Sequence, residues 1–347
     1  MDTVAEMNVH GCTLDLHVDA AEVVQRVNGL LRWILEKIAS HELPDINVHT
    51  SSKTLTRRSL IGSHPESAEH FARIFAVLRE CKAALVQGVP VNQREVYYRL
   101  KAQELVRCQR DVSCSLLDCV SLLNVPRNAL GVLSSGKGLV SGSITLHTRG
   151  REVDCTQEAF ALPGDVEGLQ RFVLQSAGAA FVLVIEKETV FQALTRAQLW
   201  EECPCILVTA RGMPDLATRA FLSHVSKSFP RLPLFGLVDW NPDGLAILSL
   251  YRFGSAAMAL ESPRFTLPGL RWAGVHASWL QTDRQHMQAL TQRDLRVAQG
   301  LRERLRGPAP HWAAELDAML AAGRKADIEA LPGALAPTLL EALRCAM

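Results

Sequence analysis

The stretch "LPLFGLVDWNPDGLAILSLYRFG", residues 232–254, decides the fold class. Its first half is a short apolar run closed by a turn signal, which reads as a buried strand. The turn is "DWNPDG", with Pro242 and Gly244 shaping it, and the apolar residues after Gly244 continue as a helix. Two further stretches repeat the plan. "AFVLVIE" (180–186) precedes a helix through "TVFQALTRAQLW", and "CILVTA" (205–210) precedes a helix from Asp215. Apolar strands alternating with helices predict a parallel α/β sheet.

Two of these runs end in an acid, Glu186 after "FVLVI" and Asp239 after "FGLV". Ligands of open parallel sheets collect outside the carboxyl ends of the strands. A lone acid there is often only a helix cap. Two acids from separate strands are what a hard divalent cation needs, since Mg²⁺ takes oxygen ligands and is often held by one or two carboxylates plus a phosphate. Asn241 and Asp243 are further oxygen donors in the turn. "ARGMPD" (210–215) opens a helix with Arg219 one turn inside, where a phosphate at the helix N-terminus is a weaker signal.

Upstream the pattern is helical, over 65–87, 92–106 and 111–122, with a further turn from Pro126. "LSSGKGLVSGSITLHT" (133–148) then reads as a hairpin with Gly136, Gly138 and Gly142 as turn residues. Three helices closed by a glycine-rich wing are the plan of a winged helix-turn-helix module. The charge map points the same way. The chain has a net charge of +1, but Lys53 to Arg151 hold 15 Lys/Arg against 7 Asp/Glu, a local +8 that leaves −7 for the rest. Such a split suits a polyanion-facing half joined to an acidic half.

The N-terminal segment places Val24, Val27, Leu31, Ile34 and Ile38 on one helical stripe, which serves either a partner helix or its own domain. Residues 41–63, with Ser51, Ser52 and Gly62, read as a loop. The expected domains are 1–45, 46–160 and 161–347. Nine cysteines without a C-x-x-C pattern argue for reduced thiols and against a structural zinc. The acidic start does not read as a signal peptide, and no apolar run is long enough to cross a bilayer, so no membrane partner is expected. A phosphate-binding loop of the G-x-x-x-x-G-K-[ST] kind is absent, which assigns any ATP use to a partner.

"NQREVYYRL" (92–100) holds two of the three tyrosines. Asn92 and Glu95 stand at capping-box spacing, so a helix starts at Asn92. Arg94 and Tyr98 are then stacked on one face, and Tyr97 points about 100° away. An arginine one turn below a phenol can hold a phosphate while the hydroxyl attacks phosphorus. A free phenol has a pKa of about 10 and needs activation for that. The pairing alone does not separate a reagent from two packing residues.

The blocks together resemble the sporulation-eleven meiotic recombination proteins, relatives of the DNA-cleaving A subunit of topoisomerase VI. The carriers are "REVYY", "SSGKGLVSG", "VIEKETVFQAL", "VTARGMPDLATR" and "LVDWNPDGLAILSLYRFGS", extended by "RWAG" and "GRKADIEAL". They span about residues 20–335 in the family's order. The resemblance implies a winged-helix domain bearing the nucleophile, followed by a Toprim domain that binds Mg²⁺. It implies Tyr98 as nucleophile with Arg94 assisting, and Glu186, Asp239 and the position of Asn241 as metal ligands. Lys137, Arg99 and Arg219 are the expected DNA contacts. Asn241 stands where much of the family has an acid, as in the plant and algal type-one branch, with Asp243 as a nearby alternative. The implied partners are double-stranded DNA, a topoisomerase VI B-like subunit on the Val24–Ile38 stripe, and a second copy of the chain, acting in the nucleus. The implied activity is meiotic double-strand breakage through a 5′-phosphotyrosyl link. The competing readings are a non-catalytic DNA-binding scaffold, a water-using Toprim nuclease and strand passage as a topoisomerase VI A subunit.

Overall fold

A computed structural model describes residues 14–42, 45–49, 55–59, 65–148, 150–255, 260–280, 287–330, 337 and 339–341. The chain divides into two compact units, one of residues 1–135 with 254–264, the other of residues 136–253 with 265–347.

The first unit is mainly helical. Helices α1 (Ala20–Ala39), α2 (Pro65–Gln87), α3 (Gln93–Lys101) and α4 (Gln109–Leu123) share one apolar core. The buried face of α1 is Val23, Val27, Leu30 and Ile34. It is rotated from the expected stripe, so that Ile38 is exposed along with Leu35. Most of the apolar stripe therefore packs on its own unit. The expected loop over 41–63 contains an antiparallel pair, β1 (Asp45–His49) and β2 (Leu55–Ser59). Ser51, Ser52 and Gly62 lie outside the described residues. A short parallel pair, β3 (Val91–Asn92) with β4 (Val132–Leu133), pins the entrance to α3.

The expected hairpin over 133–148 does not form. Leu139–Gly142 (β5) and Ile144–Thr148 (β6) are separate strands that pair with different partners. Gly142, at φ +97°, and Ser143 turn the chain out of one sheet and into another. β6 lies between β7 (Arg151–Asp154) and β9 (Val173–Ser176) in a three-stranded antiparallel sheet. β5 joins the large sheet of the second unit and, with β8 (Phe160–Ala161), forms its antiparallel edge. Alternation identifies strands here, but not their partners.

That large sheet has the order β13-β12-β10-β11-β5-β8. Its parallel part comprises β10 (Phe181–Ile185), β11 (Cys205–Thr209), β12 (Leu234–Leu237) and β13 (Leu270–Gly274). Every residue of β10, β11 and β12 is buried, which explains their unbroken apolar runs. After the short α5 (Val166–Gln170), the strand connections carry α6 (Glu188–Arg196), α7 (Leu199–Glu202), α8 (Leu216–Ser228) and α9 (Pro242–Phe253). Helices α10 (Gln292–Leu305) and α11 (Pro310–Ala322) follow, with a small pair of β14 (Gln288–Ala289) and β15 (Arg324–Lys325). From β10 the chain moves to β11 on one side, then returns to β12 on the other. The crevice between the ends of β10 and β12 is therefore the topological switch point of the sheet, the general binding position of open α/β folds. No described helix is long and apolar enough to cross a membrane.

Candidate active site

The tyrosine helix begins where its sequence placed it. Asn92 is extended and its side chain accepts the Arg94 N–H at 2.9 Å. The reciprocal half of a capping box is replaced, since Glu95 pairs with Arg99 one turn on. Val96, Tyr97 and Leu100 form the buried face of α3. Burying Val96 and Leu100 stabilises this docking by about 1.5–3 kcal/mol each. The two phenols separate: Tyr97 is 8% exposed and Tyr98 is 62% exposed. Their rings touch at 5.1 Å between centroids, and Lys101 lies over Tyr97 at 5.6 Å. Tyr251, the third tyrosine, is 1% exposed, and burial pushes its phenol well above the ordinary range. Tyr98 is thus the one tyrosine with its side chain in solvent. Arg94 is exposed and makes no side-chain hydrogen bond or ion pair among the described residues, so its donors are available to a phosphate.

The second cluster sits at the switch point of the sheet. Glu186 follows β10 directly, its backbone N–H bound to Leu237 O at 3.0 Å. Its Oε2 accepts the Asp239 N–H at 2.9 Å, while Oε1 carries no hydrogen bond among the described residues. Asp239 is 3% exposed. Its Oδ1 accepts the Ile328 N–H at 2.9 Å, and its Oδ2 meets Lys187 Nζ at 3.1 Å and the Asn241 amide at 3.3 Å. Burial, and then the charge of Asp239, pushes Glu186 up to about 7. Burial also pushes Asp239 up to about 6, against the opposing pull of the Ile328 amide and Lys187. Two carboxyls that resist ionisation together are a site short of positive charge.

Asn241 is engaged within its own turn. Its Oδ1 accepts the Gly244 N–H at 2.7 Å, with Pro242 as the first residue of α9. It is the cap of that helix, with the amide nitrogen turned to Asp239. Asp243, the alternative ligand, is held by Arg293 through bonds of 2.5 and 3.0 Å. Gly244 has no room for a side chain. A Cβ there would stand 2.5 Å from Asp239 O and 3.2 Å from Glu186 Oε2.

The expected DNA contacts fare differently. Lys137 is exposed, and its backbone N–H binds Asp215 Oδ2 at 3.1 Å. Arg99 is half-exposed but paired with Glu80 and Glu95. Arg219 is 1% exposed and reaches the carbonyl of Phe265, so it cannot meet DNA on the surface. The start of α8 is likewise filled. Asp215 accepts the Thr218 N–H at 2.9 Å and occupies the place a phosphate would take.

Sequence reasoning missed Lys187, Asp327 and Glu329. Lys187 Nζ lies 2.6 Å from Glu329 Oε2 and 3.7 Å from Asp327 Oδ1. Burial opposes its charge, but the Glu329 and Asp239 carboxylates overcome this and hold the amine up to about 12. The two acids lie inside "GRKADIEAL", the block that signalled them without a role. Glu315 was also missed. It accepts Trp240 Nε1–H at 2.7 Å and the Ala277 N–H at 3.1 Å, tying the turn after β12 to α11.

A parallel sheet with paired acids at its switch point, in one chain with a helical unit that exposes a tyrosine, defines a class. Residues 181–340 match the Toprim domain of the topoisomerase 6 A subunit/Spo11 proteins, and residues 69–132 match the family described as "Type IIB DNA topoisomerase". Toprim domains generally bind divalent metal ions. The chain is 38% identical to the meiotic recombination protein SPO11-2 of Oryza sativa subsp. indica, over 79% of this chain and 72% of that one. SPO11-2 of Arabidopsis thaliana is 34% identical over 83% and 76%, and rice SPO11-1 is 31% identical over 90% and 87%. This chain belongs to the topoisomerase VI A subunit/Spo11 family.

Among the described residues no three His, Cys, Asp or Glu side chains form a metal cage on their own. The set present still fits Mg²⁺, which keeps several waters and needs only one or two carboxylates. The unbonded Oε1 of Glu186 and the charge-short pair it makes with Asp239 are the structural grounds for that fit.

Proposed function

We propose that this chain is a topoisomerase-like transesterase that makes meiotic DNA double-strand breaks. The observation that carries the reading is the partition of the tyrosine pair, one buried and one exposed. Tyr98 is the nucleophile. Its oxygen bonds to a backbone phosphorus, the phosphorus–O3′ bond breaks, the phenolic proton passes to solvent and the leaving 3′-oxygen takes one proton from solvent to become a hydroxyl. The product is a 5′-phosphotyrosyl end. Arg94 holds the non-bridging oxygens of that phosphate and orients it for in-line attack. Glu186 and Asp239 would hold Mg²⁺, which offsets negative charge on the phosphate and the leaving oxygen.

Lys137 and the basic surface of the helical unit contact phosphates, which supplies affinity with little sequence preference. The helical unit is read as a winged-helix module from α2 to α4, without a wing at 133–148. Two copies act together, each cutting one strand, with each Tyr98 serving the metal site of the other copy. A topoisomerase VI B-like subunit docks on the exposed apolar residues of α1, Leu35 and Ile38, in the nucleus. Strand passage and a pure scaffold are not favoured, because the relatives of higher identity are named for meiotic recombination. Mass spectrometry of protein-bound DNA ends tests the reading. A nucleotide on Tyr98 is expected, and free 5′-phosphates without a protein link would overturn it.

A further inference from the structure

The Lys187 ammonium stands among three carboxylates at the edge of the site, 2.6 Å from Glu329, 3.1 Å from Asp239 and 3.7 Å from Asp327. It binds the same oxygen of Asp239, Oδ2, that faces the Asn241 amide. The other oxygen of Asp239 is taken by the Ile328 amide. Beyond Glu186, then, the acids of this site are already furnished with a positive charge. That charge is held from two sides, because Glu329 also accepts the Thr189 hydroxyl at 3.1 Å and so is fixed against α6.

We propose that Lys187 is a built-in cation that takes the place of a second metal ion, so that this site accepts one divalent ion only. The inference rests on the metal reading of Glu186 and Asp239. Charge supports it. With an ion bound and their protons displaced, Glu186, Asp239, Asp327 and Glu329 carry four negative charges, and Lys187 cancels one. One divalent ion leaves a single negative charge, while a second would leave a net positive site before any substrate arrived. Asn241, with its donor turned to Asp239 and its oxygen committed to Gly244, supplies no charge toward a second ion. Lys187 is in this sense a positioning residue. It fixes Asp239 and Glu329 and repels a further cation, but it does not touch a reacting atom.

The test is titration of the full chain with Mn²⁺, following free Mn²⁺ by electron paramagnetic resonance. Wild type is expected to bind one Mn²⁺ per chain. Lys187→Met is expected to bind two, because Asp239 Oδ2, Asp327 and Glu329 are released to a second ion. Lys187→Arg keeps the charge and is expected to remain at one. Glu329→Gln leaves Lys187 in place and guards against a folding defect in Lys187→Met; it too is expected to stay at one. Two ions in wild type, or a single unchanged ion in Lys187→Met with native circular dichroism, would overturn the inference and leave the metal reading standing. No ion in wild type would overturn both.

Discussion

In the reaction proposed above, the tyrosine helix and the turn after β12 would play their parts by opposite means. On α3 the reactive face is kept free: Tyr98 is exposed and Arg94 has no described partner, while the opposite face is buried. At the turn after β12 almost every polar atom is engaged. Asp239 is bound by Ile328, Lys187 and Asn241, Asn241 caps α9, Asp243 is clamped by Arg293 and Trp240 is held by Glu315. A nucleophile for a polymer that arrives from outside has to stand in solvent, and the exposure of Tyr98 on α3 meets that requirement of the proposal. A site for a divalent ion has to hold two repelling carboxylates in place, and the web of internal bonds around Asp239 meets that requirement of the proposal.

The largest effect should separate Tyr98 from its neighbour. Tyr98→Phe is expected to cut covalent DNA-end formation by roughly 10⁴-fold or more, as loss of a nucleophile does, with a stability change within about 0.5 kcal/mol. Tyr97→Ala is expected to do the reverse in urea unfolding, costing about 3 kcal/mol through lost packing. If Tyr97→Phe abolished covalent ends as fully as Tyr98→Phe, the division of roles between the two would be broken.

The next prediction concerns the charge-short side. Because Glu186 and Asp239 have raised carboxyl pKa values, about 7 and about 6, the metal-free fold binds protons that the unfolded chain releases. Stability from this source is present at low pH and is lost as pH rises through these values. The melting temperature of the metal-free chain is expected to fall between about pH 5 and pH 8, and the rise on adding Mn²⁺ to grow over the same interval. Glu186→Gln should flatten both trends. A melting temperature that climbs across this range in the metal-free protein would show that the two acids are not held as described.

The smallest effect distinguishes a surface cation from a buried one. Lys137→Ala is expected to reduce the slope of log affinity for DNA against log salt by about 1. Arg219→Leu is expected to leave that slope unchanged and to lower stability instead, since the side chain is 1% exposed. An equal loss of slope in both would return Arg219 to the DNA surface.

What the sequence made legible was mostly local. The runs at 181–185, 205–209 and 234–237 announced buried parallel strands, and each is one. Asn92 announced the start of α3, and spacing alone set Tyr97 and Tyr98 on different faces. What stayed hidden depended on distant partners. Residues 139–148 showed strand character, but nothing in them tells that Val140 pairs with Val208 and not with its own sequel. Arg219 looked like a surface cation because charge predicts exposure, yet it lies among apolar residues of α8. Lys187 and Glu329 are far apart in the chain, and only the fold brings them together.

The bond from Trp240 to Glu315, with that from the Ile328 amide to Asp239, sets how far the chain can be shortened. A chain ending before Pro310 would keep Tyr98, Arg94, Glu186, Asp239 and Asn241, and by motif alone it would pass for a working copy. It would lack the struts that hold the metal-side turn. Such a chain should lose Mn²⁺ affinity while its Tyr98 helix stays folded, which Mn²⁺ titration and circular dichroism of the truncated chain would check.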